Sequence, residues 1–316
     1  AFRIFKGNTE QERTTNLITS LRYLNVSFQE SPSMEYDSID FFSNQIFVLS
    51  TIGIASRQFV QDQYIFNDGR IEDVPVGSIY ALTFGNQYKN DQNRVYLGAR
   101  VALGKYFNWG YLSSNMEFGS FLNKGKLEQT VFSFQANYFT RLISLGNWKM
   151  RQFVKPQFVL GSNRLDSSAD RVSLDDNRNP SGYYGDNFRQ LNEARIPGFN
   201  GELLGTSKYV LALQTQFYSP WEVYGFRLNP YINITGGFIA DNKSVFDNSN
   251  QLYTAFGLGF LVRNDYLVFS TFQFSFSYYP TIPGRGNNLI YTNSFETEDF
   301  GFQDFNLGKP LRVRYN

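Results

Sequence analysis

The chain has 316 residues, among them 33 Phe, 21 Tyr and 3 Trp, and its 29 basic and 28 acidic side chains leave a net charge of +1. A balance so close to zero offers nucleic acid no electrostatic footprint. The absence of both Cys and His removes thiol nucleophiles, disulfides, histidine triads and most zinc or iron sites, so no catalytic residue, metal or cofactor is assigned and no enzyme is expected.

Taken from the N-terminus, "AFRIFKGNTEQERTTN" lacks a basic start followed by an apolar run, so no secretory signal is read there. Gln45–Ala55, "QIFVLSTIGIA", is too short and too polar to cross a bilayer as a helix. Gln58–Val76 is ambiguous, because "QYIFN" within it fits part of another strand. Val95, Leu97, Ala99, Val101 and Leu103 then alternate with Tyr96, Gly98, Arg100 and Ala102, a period of two that marks a strand. Phe132, Phe134, Ala136 and Tyr138 repeat it against Ser133, Gln135 and Asn137, and Tyr209, Leu211, Leu213 and Phe217 against Ala212, Gln214 and Gln216. Leu228–Phe238 and Leu252–Phe260 behave alike. In Val268–Tyr279, Phe272, Phe274 and Phe276 oppose Gln273, Ser275 and Ser277.

Turn chemistry separates these runs at Gly104–Leu112, Leu145–Lys149, Tyr218–Phe226 and Arg263–Leu267. Longer connections are expected at Ser162–Ser207, Ala240–Asn250 and Thr281–Gln303. A last strand is expected over Asp304–Tyr315, with Leu311, Val313 and Tyr315 in an outward row and a kink or unpaired edge at Gly308–Pro310. Asp166, Asp170, Asp175 and Asp176 fall in the longest loop and read as a solvated surface. "GRGNN" at Gly284–Asn288 has no strand-to-helix context and is not a phosphate loop.

Strands therefore dominate from end to end, and periodicity leaves two architectures open, a soluble all-β protein with aromatic edges and an antiparallel transmembrane β-barrel. Three features favour the barrel: strands of about 9 to 11 residues, aromatics crowded at strand ends, and a second face of small polar residues where a soluble surface would carry Lys and Glu. Mean hydropathy of −0.35 beside an aromatic content of 18% fits a wall greasy on one side only.

Around "ARIPGFNGELLGTSKYVLALQTQFYSP" (Ala194–Pro220) the chain resembles the outer-membrane protein assembly and two-partner secretion transporters, the BamA/TpsB superfamily. The resemblance rests on a glycine-aromatic tip near the end of the longest loop, a following strand that ends "FYSP", and five strands expected after the loop. "IEDVPVGSIYALTFG" (Ile71–Gly85) also looks like an earlier part of such barrels. The resemblance implies a barrel of the sixteen-stranded type, of which about 12–13 strands are visible, forming one outer-membrane domain over 1–316. The family's first strands and its periplasmic POTRA modules have no counterpart in the chain. It also implies placement in the outer membrane of a Gram-negative bacterium, with lipid, an unfolded or secreted protein substrate, and other outer-membrane or periplasmic subunits as partners.

By the same resemblance the loop folds into the lumen with its tip at Pro197, Gly198 and Phe199, against a wall at Thr235, Gly237, Gly257 and Gly259. Pro197 stands where the family has a loop arginine and Thr235 where it has the partner aspartate, so both halves of that ion pair are missing together; in the other register Arg195 takes the arginine's place. Three functions stay open: a protein transporter or insertase working at the seam between first and last strands, a structural or accessory barrel whose loop only fills the lumen, and a passive porin.

Overall fold

The structure is a computed structural model that describes residues 2–3, 9–176, 194–241, 251–264, 271–294 and 300–315. The expected turn residues 265–267, the first residues of the strand 268–279, and most of the expected loop Ala240–Asn250 lie outside the described residues, as do 177–193 of the long loop. The elements in chain order are β1 (Phe2–Arg3), α1 (Glu10–Thr14), β2 (Thr15–Val26), β3 (Gln45–Gln63), β4 (Ile71–Lys89), β5 (Gln92–Phe107), β6 (Gly110–Asn123) and β7 (Lys126–Thr140). They continue with β8 (Ile143–Leu145), β9 (Trp148–Ser162), β10 (Ser207–Tyr218), β11 (Glu222–Val223), β12 (Phe226–Ala240), β13 (Tyr253–Asn264), β14 (Thr271–Ile282) and β15 (Gly286–Thr292).

All of these strands belong to one antiparallel sheet in which neighbours in sequence are neighbours in space, with β8 and β11 as short side pairs on β9 and β12. Among the described residues no ladder joins β15 back to the first strands. The sheet is curved into a barrel, and its two faces follow the period-two pattern. On β14, Phe272, Phe274 and Phe276 are exposed, Phe276 by 54%, while Ser275 and Ser277 are buried. On β5, Val95, Leu97, Val101 and Leu103 point outward and Tyr96 and Ala102 inward. β3 and β4 add Ile52, Ile54, Leu82 and Phe84 to the same exposed belt.

The inward face is built from glycine, small polar groups and aromatics that cover one another. Tyr231 on β12 pairs across to Gly259 on β13, and a Cβ on Gly259 would meet the tyrosine ring at 2.4 Å. The missing side chain is what lets the ring lie flat on the wall. Two-residue turns close β4–β5 through Asn90 and Asp91, at φ 51° and 53°, and β6–β7 through Lys124 and Gly125, at 47° and 81°. Positive φ at both positions matches the natural twist of a hairpin. Both turns sit at the same end as the long loop 163–206, so that end mixes long and very short connections instead of carrying long ones throughout.

The ambiguous Gln58–Val76 resolves into the end of β3, which runs on to Gln63, and the start of β4 at Ile71, with most of "QYIFN" in the turn at 64–70. Two expectations are corrected. Thr281–Gln303 is not one loop, because β15 returns from a turn at 283–285 and pairs with β14 through Tyr278↔Ile290 and Tyr279↔Leu289. Residues 304–315 form no strand, and Val313 and Tyr315, expected to face outward, are buried inside the barrel. The fifth strand after the long loop is therefore β15. No described helix is long and apolar enough to cross a membrane, which says nothing of a barrel.

Candidate functional site: the filled lumen

Among the described residues, three pieces of the chain occupy the interior. The first is the long loop after β9. Its two legs zip together through Val172 N to Gly205 O (2.9 Å), Gly205 N to Val172 O (3.1 Å) and Ile196 N to Leu174 O (3.1 Å). At the tip the Asp176 carboxylate accepts from Gly198 N (2.9 Å) and pairs with Arg195 at 2.9 Å, while Asp175 accepts from Gly201 N (2.8 Å). Asp170 is buried and pairs with Arg164. Of the four aspartates read as a solvated surface, only Asp166 is fully exposed; the other three shape the loop.

The predicted tip residues lie among inward side chains. Phe199 is fully buried with its ring 5.5 Å from that of Tyr253 on β13. Gly198 has φ +71°, and a Cβ there would come within 2.4 Å of the Tyr279 hydroxyl. That hydroxyl donates to Pro197 O at 2.5 Å. On the predicted wall, Gly237 lies under Leu174 (3.1 Å to its absent Cβ) and Gly259 under Tyr231. Gly257 is paired with Asn233 and Ser277. Thr235 is fully buried and donates to Asn233 Oδ1 at 2.8 Å. The aromatic contacts of the tip are thus to β13 and β14, whereas Leu174, further back in the loop, reaches β12.

The second piece is the turn at 64–70, which bends across one mouth. Ile65 is fully buried and the Phe66 ring stacks on Phe153 at 6.1 Å. The Glu72 carboxylate accepts from Ile65 N (3.1 Å) and Phe66 N (3.0 Å). Arg151 on β9 donates to Asp62 (2.8 Å) and Gln63 O (2.7 Å). Tyr218 on β10 donates to Tyr64 O (2.6 Å).

The third piece went unseen in the sequence. Residues 300–315 run lengthwise through the lumen, from Phe302 beside Phe139 and Phe66 at one mouth to Tyr315 at the other. There Arg164 lies 3.5 Å over the Tyr315 ring and the phenol donates to Thr206 O (2.8 Å). Loop and segment meet in one apolar cluster that includes Val172, Leu174, Ile196, Phe199, Val313 and Tyr315. Beside the segment remains a cavity of ≈ 590 Å³, lined among others by Thr51, Thr83, Arg100, Glu117, Gln135 and Arg312; Arg100 and Glu117, neighbours across β5 and β6, pair on its wall at 3.2 Å.

This is an all-β chain whose single antiparallel sheet encloses an interior packed with its own polypeptide. No known protein family matches the sequence, nor does any curated protein. Among solved structures, CdiB from Acinetobacter baumannii is similar at a TM-score of 0.47 and 10% identity, over 89% of this chain and 47% of that one. The chain spans about half the length of that protein.

Proposed function

We propose that the chain is a non-catalytic outer-membrane β-barrel of a Gram-negative bacterium, acting as a protein translocator or insertase in outer-membrane protein assembly or protein secretion. The observation that carries this reading is the division of the wall: a belt of exposed Phe, Leu, Ile and Val outside, and a polar, glycine-bearing face inside that already holds an extended stretch of polypeptide. A belt of that extent is far larger than the apolar patches soluble monomers leave in water, and lipid is the partner that covers it all round. The second partner is an unfolded or secreted protein, and neighbouring subunits of the outer membrane or periplasm are the third.

The filled lumen favours one other reading, an accessory barrel that carries its contents permanently. It argues against a passive porin, because the loop, the turn at 64–70 and residues 300–315 together occupy both mouths and the middle. The test is refolding of the purified chain into lipid vesicles, followed by addition of an unfolded outer-membrane protein or a secreted substrate. Insertion of the chain, with faster folding or passage of the added protein than in empty vesicles, supports the translocator. A chain that stays outside the vesicles overturns the membrane reading; one that inserts without effect on the substrate leaves the accessory barrel.

A further inference from the structure

Residues 300–315 lie on the wall without joining its ladder, and besides the Arg57–Asp304 pair (3.3 Å) and the contacts of Tyr315 with Arg164 and Thr206, two kinds of contact hold them. One is to their main chain. Asn137 on β7 donates to Gly301 O (2.9 Å), Ser20 and Arg22 on β2 donate to Gly308 O (3.1 Å) and Pro310 O (3.4 Å), and the Tyr96 hydroxyl on β5 accepts from Val313 N (2.8 Å). Main-chain groups are common to every sequence, so these contacts recognise extended polypeptide as such.

The other kind is a series of notches. At Gly104 an added Cβ would meet the Phe305 ring at 2.3 Å, at Gly53 the Leu307 side chain at 2.7 Å, at Gly119 the Val313 side chain at 3.1 Å, and at Gly161 the Tyr315 ring at 2.4–2.5 Å. Four strands thus give up a side chain where four residues of the segment are seated. Glycine inside a strand weakens it; at Gly104 and Gly161 the segment's own ring is the nearest group, while at Gly53 the wall's Ala81 and Tyr80 stand equally near and at Gly119 the wall's Tyr96 hydroxyl is nearer still, at 2.5 Å.

We propose that the inner wall from β2 to β9 is a binding track for an extended polypeptide supplied in trans, and that residues 300–315 occupy it in cis. The ligand class is an unfolded peptide that presents aromatic or branched aliphatic side chains at the notches, with its main chain toward Ser20, Arg22, Tyr96 and Asn137. Because the segment shares no ladder with the sheet, its departure breaks side-chain contacts and leaves strand pairing whole. The proposal rests on the translocator reading for its biological meaning and names that reading's substrate class.

The experiment uses the full chain folded in detergent micelles and a fluorescent peptide with the sequence of residues 300–315, read by anisotropy. Phe305→Ser with Tyr315→Ser loosens the segment while the wall stays intact. The expected result is peptide binding at least tenfold tighter to this variant than to the unmodified chain, and a tenfold loss when Gly104→Val is added to it. Equal binding to loosened and unmodified chains, or binding indifferent to Gly104→Val, would overturn the track.

The chain contains no cysteine, so Gly53→Cys with Leu307→Cys gives a second, unambiguous reading in the same loosened chain. Closing that disulfide should abolish peptide binding, and reduction should return it to the weaker level of the loosened chain carrying Gly53→Cys alone, in which one notch is filled; a folded chain that never forms the bond overturns the cis placement. Micelle binding needs neither membrane insertion nor transport, so its failure strikes the track alone, while failure in vesicles strikes the translocator.

Discussion

The ring of Phe305 lies across Gly104, so close that a Cβ at residue 104 would stand 2.3 Å from the ring's Cζ. The ring is 1% exposed and packs with Ile79, Ala102 and Ala55. Phe305→Ala empties that seat, and truncation of a buried Phe costs about 3–5 kcal/mol where the site does not collapse. The expected outcome is release of residues 300–315 to protease while the strand circular-dichroism signal persists. Continued protection of the segment would mean that the seat does not hold it.

Asp62 anchors the turn that closes one mouth through Arg151, which is 2% exposed. Asp62→Ala leaves a buried guanidinium without its carboxylate, a change that costs about 3–5 kcal/mol in buried pairs. Only part of that is expected here, because Gln63 O and Thr140 O still accept from Arg151. Thermal unfolding should fall by several degrees, and cleavage within 64–70 should appear first.

Asp176 holds the loop tip by pairing with Arg195 and by accepting from Gly198 N. Asp176→Ala removes both, and about 1–2 kcal/mol of local stability with them. Hydrogen exchange at the Gly198 amide should accelerate roughly tenfold or more while the amides of β13 stay protected. An unchanged Gly198 amide would show that the aromatic contacts of Phe199 suffice.

Pro197 and Thr235 are the positions where the resemblance in sequence leads one to expect a charged pair, and Thr235 is fully buried. Thr235→Asp alone should destabilise the chain by a few kcal/mol, as an uncompensated buried charge does. Adding Pro197→Arg should return part of that loss, with a coupling of about 1 kcal/mol or more in a double-mutant cycle. Strict additivity would mean that the tip lies beyond reach of Thr235.

Phe276 faces outward and is 54% exposed. Phe276→Arg places a charge in the belt and should lower folding into vesicles by about 2–4 kcal/mol near the bilayer midplane. The same variant should fold normally in micelles with short-chain detergent. Equal folding in vesicles would remove the bilayer from the account.

The strand faces were legible because alternation is local: Phe272, Phe274 and Phe276 declare their side of β14 within five residues. The same alternation misled at the end of the chain. "DFNLGKPLRVRY" (304–315) keeps a period of two because both a sheet and a lumen wall sort side chains by side, and Gly308, Lys309 and Pro310 are what weaken it as a strand. β15 was missed for the opposite reason, since "GNNLIYT" offers few apolar residues, although the Gly284 and Gly286 turn before it was a usable signal. Pro197, Gly198 and Phe199 were singled out only through the resemblance, and the groups that hold them were not legible at all: Asp175 and Asp176 act on backbone amides more than twenty residues away, a pairing that no local pattern records. The notches at Gly53, Gly104, Gly119 and Gly161 were equally hidden, because a glycine in a strand looks like a bulge or a bend until its occupant is known.

The position of that occupant in the chain sets an order on biogenesis. Residues 300–315 follow in sequence every strand they touch, so each notch is synthesised before the side chain that fills it. The segment competes for that wall as a tethered chain, at an effective concentration that a free peptide would have to match in bulk.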